Sequence, residues 1–390
     1  MTHFPKPFFR KSRKTWAVQI NGKQINLGRD QEAAFRRYHE LMAAPAEQPR
    51  VADTSLVVAL CDNFLNWVEK HRSPATYEWY RHRLQRFVEL YPDLTVTQLK
   101  PFHVQEWGDG LNVKPTTQRN YIRSVKRAMK WSRQQGYIDT DPIAEMQAPS
   151  AERREQTISK DEYLRFLAAI PDEGFRDLVA VSWETGCRPQ ESLRVEARHF
   201  DAEKRMWIFP KSESKTKRKA RVVYLTESAS NICARLASQN PTGPLFRNSK
   251  GKPWTSDAVQ CAVRRVRMRL GKEAMIAEEI EISASAIKEK VKSLNRYRGS
   301  GVTRRRKTDA EMVCEAKRKL TEQIAIRKAP SFCLYLLRHS FATRALLKGV
   351  DSLTVSQLLG HEDVSTLAKV YQHLSSNPEH LLSKVEAISP

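Results

Sequence analysis

Acidic residues are scarce in this chain: 44 Asp+Glu face 67 Lys+Arg over 390 residues, a formal net charge of +23. Charge this lopsided calls for a polyanionic partner. Nucleic acid comes first, because neutralising phosphates releases condensed counterions, and an anionic membrane surface second. Long apolar runs are also missing, and none approaches the ~20 residues that span a bilayer. The opening MTHFPKPFFRKSRK lacks the apolar core of a secretory signal, so a soluble, cytoplasmic protein with no membrane partner is expected. Cysteines are few and dispersed, at Cys61, Cys187, Cys233, Cys261, Cys314 and Cys333. No CxxC pair or Cys/His cluster has zinc-ligand spacing, which predicts reduced, mostly buried thiols and no metal site. A GxxxxGK[ST] phosphate loop is absent, and no cofactor is expected. What is present is 40% hydrophobic residues, enough for two or three packed domains and too many for wholesale disorder.

The first 29 residues hold seven Lys/Arg and no Asp or Glu. Trp16, Val18 and Ile20, then Ile25 and Leu27, alternate with polar residues around Asn21-Gly22, a strong two-residue hairpin signal. A helical stretch follows from Gln31 to Met42, then an Ala/Pro-rich linker, giving a small basic sheet-plus-helix module over residues 1–48. Helical patterning dominates 53–147. Leu56, Leu60, Phe64, Trp67 and Val68 share one face, Ser73-Pro74 caps a second helix, and Pro115 opens a third that Gly136 ends. Basic residues on the outer faces, including Arg81, Arg83, Arg119, Arg123, Lys126, Arg127 and Lys130, could track a DNA backbone or form a solvated surface. The linker around 147–157 leads to a third region, 157–390, opened by a Ser159/Glu162 capping box. Its clearest β signal is Met206–Phe209 and Arg221–Leu225 flanking the basic turn KSESKTKRKA. A charged stretch at about 272–330, with a Gly299–Gly301 loop and Arg304–Lys307, reads as a helical insertion. DNA-backbone contact, a partner surface and an inert solvated excursion are all open roles for it.

Four pieces of the third region stand out together. In Thr185-Gly186-Cys187-Arg188-Pro189-Gln190-Glu191, a glycine ends one helix and a proline starts the next, placing Arg188 at a helix N-terminus suited to anions. Lys215 and Lys217 project from the hairpin turn. Tyr335-Leu336-Leu337-Arg338-His339 follows, then Leu358-Leu359-Gly360-His361 with Tyr371 ten residues on.

In that order the segments TGCRPQES, LLRHSFATRALLKGVD and LLGHEDVSTLAKVYQHL resemble the tyrosine recombinases, the phage-integrase type of site-specific recombinase. The resemblance implies a fold that is mainly α with small β elements. Its parts would be an arm-type DNA-binding module, a helical, SAM-like core-binding domain and a mixed α+β catalytic domain. It implies that Arg188 and Arg338 grip a scissile phosphate, that Lys215 (or Lys217) is the general acid, that His361 hydrogen-bonds the phosphate and that Tyr371 is the nucleophile. Glu191 and His339 would support them. The usual first position of the second box is histidine, and here it is Tyr335, which can donate a hydrogen bond but, with an ordinary pKa of about 10, is no general base near neutral pH. DNA contacts are expected from Arg10, Lys11, Arg13 and Lys14 in the arm module and from Arg119, Arg123, Lys126 and Arg127 in the core-binding domain. The partners implied are double-stranded DNA at core and arm sites, further copies forming a tetramer on two duplexes, and accessory DNA-bending or directionality factors. A nucleoid-associated protein of a mobile element follows.

The chemistry suits these residues. Charge building on a phosphodiester must be neutralised by metals or by preorganised cations, and two forked guanidiniums provide the second route. Neighbouring cations favour a phenoxide-like nucleophile, and a covalent phosphotyrosine conserves the bond energy without nucleotide fuel. Two other readings are a DNA-binding architectural protein that has lost the chemistry, favoured by Tyr335, and a relaxing topoisomerase, against which the N-terminal modules argue.

Overall fold

The computed structural model describes residues 6–10, 14–20, 23–43, 55–150, 156–214 and 219–361. The chain divides into two compact units, Met1–Glu152 and Arg153–Pro390. It is mainly helical with small sheets.

The first unit begins with β1 (Phe8–Arg10), β2 (Thr15–Ile20) and β3 (Lys23–Gly28), an antiparallel sheet in sequential order. Helix α1 (Gln31–Ala43) covers it, and Val18, Leu27 and Ala34 form a small core with Trp16, Ile25 and Tyr38 at its edge. The period-2 pattern read from the sequence thus faces one side onto the helix. Four helices follow: α2 (Val57–His71), α3 (Pro74–Leu90), α4 (Pro101–Gly110) and α5 (Pro115–Gln134). Ser73 accepts from the Thr76 amide with Pro74 in the first turn, as the Ser-Pro pair predicts. Phe64, Phe87, Ile122 and Met129 are fully buried at the centre.

Two expectations for this unit are corrected. Leu56 precedes α2, is exposed, and bridges Thr95 through its backbone, so it is not part of the buried face. Arg83 is not on the outer face: its guanidinium sits 4.0 Å over the Trp79 ring and 5.2 Å from that of Tyr121, with Nη1 donating to the Trp79 carbonyl. An arginine stem and planar head pack readily against aromatic faces, and helical spacing alone does not reveal that.

The second unit opens with α6 (Lys160–Ala168), whose capping box is formed by Ser159 and Glu162. Helices α7 (Glu173–Thr185) and α8 (Pro189–Arg194) lead to an antiparallel sheet of β4 (Phe200–Asp201), β5 (Met206–Phe209) and β6 (Arg221–Tyr224). The register pairs Trp207 with Val223 and Phe209 with Arg221. Next come α9 (Glu227–Gln239), α10 (Ser256–Ala277) and α11 (Ala284–Lys292), then a short ribbon of β7 (Tyr297–Arg298) and β8 (Arg305–Arg306). α12 (Asp309–Lys328), α13 (Leu334–Leu347) and α14 (Ser352–Leu359) complete the described chain. Trp207, Phe166, Phe175 and Phe246 centre the main core, and α13 packs along α7.

The charged stretch is built on this body. α10 runs unbroken through residue 272, and a Cβ on its Gly271 would meet the Ala325 carbonyl at 1.9 Å, so α10 and α12 cross at contact distance there. Leu294, Met312 and Ala316 close a second small core between α11 and α12. Among the described residues no helix is long and apolar enough to cross a membrane.

Candidate active site

Two glycines set the geometry. Gly186 ends α7 at φ 59°, and Gly360 ends α14 at φ 67°; this left-handed conformation favours glycine at helix ends. Neither position has room for a side chain. A Cβ on Gly186 would lie 2.6 Å from the Phe341 ring, and one on Gly360 2.7 Å from the Arg221 guanidinium carbon. Each glycine turns the chain sharply just before a residue singled out from sequence, Arg188 in one case and His361 in the other.

Arg188 is the N-cap of α8, followed by Pro189. Its amide donates to Glu191 Oε2 at 2.9 Å and its Nη1 to Glu191 Oε1 at 2.8 Å, while Nη2 donates to the Gly360 carbonyl. Arg338, only 3% exposed, donates through Nη1 to the Gly186 carbonyl (3.0 Å) and through Nη2 to the Leu359 carbonyl (2.7 Å). The same Nη2 is 2.9 Å from His361 Nε2. Burial, and then the charge of Arg188, lowers the Arg338 pKa to about 10, so it stays cationic at neutral pH.

His361 is held neutral. Burial, followed by the charges of Arg338, Arg188 and Arg221, lowers its pKa to about 4. Facing a guanidinium donor, Nε2 must be the acceptor, which puts the ring proton on Nδ1. Nδ1 is buried and has no hydrogen-bond partner among the described residues. The ring therefore offers one free N–H donor beside two arginines.

Sequence reasoning missed Arg221, the first residue of β6. Its Nε donates to Glu191 Oε1 at 3.1 Å and its Nη2 to the Leu358 carbonyl at 3.0 Å. Three guanidiniums thus take three successive carbonyls at the end of α14: Arg221 takes that of Leu358, Arg338 that of Leu359 and Arg188 that of Gly360. Burial favours the neutral carboxyl of Glu191, but Arg221 and the Arg188 amide outweigh it and hold the pKa below the usual range. Three cations against one carboxylate leave two positive charges, a setting for an anion. The signal for Arg221 was strand parity: it shares a face with buried Val223, and an inward arginine needs a partner.

The remaining candidates divide. Tyr335 is 53% exposed, with its ring 5.1 Å from that of His339, and it lines a cavity of about 1120 Å³ that also reaches Pro189, Arg264 and Arg327. Burial and then Arg338 lower the His339 pKa. Lys215, Lys217 and Tyr371 lie outside the described residues, as do Lys11 and Arg13. In the first unit Arg10 bonds the Gln24 side chain, and Lys14 is exposed at a turn with φ 49°. Arg119 donates to the Pro149 carbonyl, and Lys126 to those of Ala144 and Met146, so both tie α5 to the segment after it. Arg123 is exposed and Arg127 half-buried on the same helix.

The phage integrase family model matches residues 294–377, which include Arg338, His361 and Tyr371. Over that segment the chain is similar to the phage integrase family, and over most of its length to tyrosine recombinases. The chain is 22% identical over 351 residues to a tyrosine recombinase XerC-like protein of Caldanaerobacter subterraneus subsp. tengcongensis, covering 85% of this chain and 83% of that one. Among solved structures, the Tn1549 transposon integrase in complex with transposon right end DNA aligns with a TM-score of 0.56 at 16% identity, over 85% of this chain and 99% of that one. A lambda integrase tetramer bound to a Holliday junction aligns with a TM-score of 0.53 at 15% identity, over 93% and 97%. At these identities the likeness is one of fold. The mainly helical chain, with its small sheets, shares the fold of these integrases.

Proposed function

We propose that this protein is a tyrosine recombinase, a site-specific integrase of a mobile element that cuts and rejoins DNA through a covalent 3′-phosphotyrosine. The observation that carries the reading is the convergence of Arg188, Arg338 and neutral His361 on the end of α14. Forked cations and a fixed N–H donor together suit a phosphoryl group that gains charge in the transition state. Tyr371 is the nucleophile: its oxygen bonds to phosphorus, the bond to the 5′ oxygen breaks, and the phenol proton passes to solvent. Lys215, or Lys217 from the same turn, protonates the departing 5′ oxygen. Rejoining runs the same step backwards with another 5′-hydroxyl, so no nucleotide cofactor is needed. Glu191 orients Arg188, and Tyr335 donates a hydrogen bond to a phosphate oxygen.

Residues 1–48 serve as an arm-type DNA-binding module, 53–147 as a core-binding domain and 157–390 as the catalytic domain. Double-stranded DNA is the substrate, contacted mostly through phosphates. Arg123 and Arg127 are the stronger candidates on α5, because Arg119 and Lys126 are engaged with backbone carbonyls. Strand exchange takes place in a tetramer on two duplexes, in the cytoplasm at the nucleoid, with DNA-bending or directionality factors assisting.

Incubation with a nicked half-site duplex tests the reading. The native chain should form an SDS-resistant protein–DNA adduct and Tyr371→Phe none. An adduct from the Phe variant would displace Tyr371 as nucleophile. Absence of adduct from the native chain on its own site would favour a DNA-binding protein without chemistry, the reading that Tyr335 invites.

A further inference from the structure

Residues 295–307 carry Arg296, Arg298, Arg304, Arg305, Arg306 and Lys307 and no acid. Three of these cations pair with carboxylates of α12, Arg298 reaching Glu311 at 4.0 Å. Arg305 forks onto both oxygens of Glu311 at 2.8 and 2.6 Å, and Lys307 pairs with Glu315 at 2.7 Å and with the Asn295 carbonyl at 2.8 Å. These contacts fasten the β7–β8 ribbon to the first turns of α12. Arg296, Arg304 and Arg306 are exposed and have no carboxylate partner among the described residues. Arg304 lies 4.5 Å over the ring of Tyr297, the first residue of β7.

The crest is equally specific. Val302 is fully exposed at the centre of a single turn of 3-10 helix, Gly301–Thr303. Gly299 enters that turn at φ 83°, where a Cβ would meet the Thr303 carbonyl at 2.4 Å, so the turn is tight by construction. A solvated excursion needs neither a locked turn nor an apolar residue at its tip. An apolar crest between arginines is how proteins wedge at a base step while cations hold the flanking phosphates, and a two-stranded ribbon fits a DNA groove.

The spacing also fits. Arg327, at the far end of α12, lines the cavity that reaches Tyr335 and Pro189. A 20-residue helix is about 30 Å long, and one turn of duplex advances about 34–36 Å. We infer that the β7–β8 ribbon is a second DNA contact, gripping the duplex about one helical turn from the phosphate at the active site. Placing that phosphate rests on the function proposed above.

The test uses the full chain, a labelled 60-base-pair duplex of arbitrary sequence and the short nicked half-site. The variant replaces Arg296, Arg304 and Arg306 together by alanine. Loss of three phosphate contacts should lower the slope of log affinity against log salt by about 2.7. The native advantage over the variant should then shrink roughly fortyfold between 50 and 200 mM salt, a fourfold rise taken to that power. Val302→Ser should weaken 60-mer binding without changing the slope. Adduct formation on a half-site ending within ten base pairs of the nick should be unchanged by either variant. An unchanged slope overturns the inference, as does an equal loss of adduct on the short half-site. A native chain that binds the 60-mer yet forms no adduct sinks the reading of the active site and leaves the ribbon's contact standing. A native chain without salt-dependent binding sinks both.

Discussion

Replacing Arg221 by alanine removes a donor that no sequence motif advertises. The Glu191 carboxylate, with a side chain 10% exposed, would keep Arg188 but lose Nε of Arg221 at 3.1 Å, and the Leu358 carbonyl would lose its donor. Stranding one member of a buried ion pair costs about 3–5 kcal/mol; with Arg188 still paired to Glu191, about 2–3 kcal/mol is expected. For a unit the size of residues 153–390 that is a fall of about 4–12 °C in the midpoint of its thermal transition. The penalty should depend on pH. In the native chain the Glu191 pKa is depressed, so its contribution is present above the ordinary carboxylate range and fades as pH falls through the lower folded value. Without Arg221 the burial that raises this pKa is less opposed, so protonation relieves the stranded charge and the variant's deficit narrows towards pH 4.5. Calorimetry of the full chain at pH 7.5 and pH 5, for Arg221→Ala with and without Glu191→Gln, measures this. The glutamine should recover part of the loss at the higher pH only. A deficit below 1 kcal/mol that ignores pH and Glu191 would refute the account.

Three further outcomes follow from the same geometry. Arg338→Lys keeps the charge but loses the fork that spans the Gly186 and Leu359 carbonyls, and adduct formation should slow about 10²–10³-fold in single-turnover assays. Gly186→Ala must strain a φ of 59° and displace the Phe341 ring, which should destabilise the unit by at least about 1 kcal/mol in denaturant titration. His361 has a folded pKa of about 4 against about 6.5 unfolded, so the unfolded chain binds its proton first and stability should decline as pH falls from about 6.5 to about 4. Native and His361→Phe melting curves across that window should differ in slope, the variant being flatter.

The legible parts of the site were those whose local backbone also dictates them. Gly186 and Pro189 mark a helix end and a helix start, so Arg188 could be placed at a turn from seven contiguous residues. Gly360 does the same for His361. Arg221 was not legible in this way because its partners lie 30 positions back, at Glu191, and 137 positions ahead, at Leu358. Only the parity of a four-residue strand hinted that it points inward. Arg119 and Lys126 were misleading for a related reason. On a helical wheel they look like outward charges, yet long stems let them reach the carbonyls of Pro149, Ala144 and Met146. The crossing of α10 and α12 depended on a glycine in mid-helix, which a propensity reading treats as a weakness and the packing uses for close approach.

The end of α14 explains why the arginines stand ready before any phosphate arrives. The last carbonyls of a helix have no partner within it and carry the negative end of its dipole. Here Leu358, Leu359 and Gly360 each receive one guanidinium, so three like charges are held close together by backbone dipoles and by a single carboxylate. Each guanidinium has five N–H donors and gives α14 only part of that set, which leaves further donors for an incoming anion. Their charges, relieved only in part by Glu191, add to the burial that keeps His361 neutral. An anion entering beside them would meet donors already oriented, so little reorganisation is needed when charge develops. A helix end with two arginines instead of three would leave one α14 carbonyl unsatisfied and the Gly360 turn free to shift, and with it the one imidazole that this arrangement fixes.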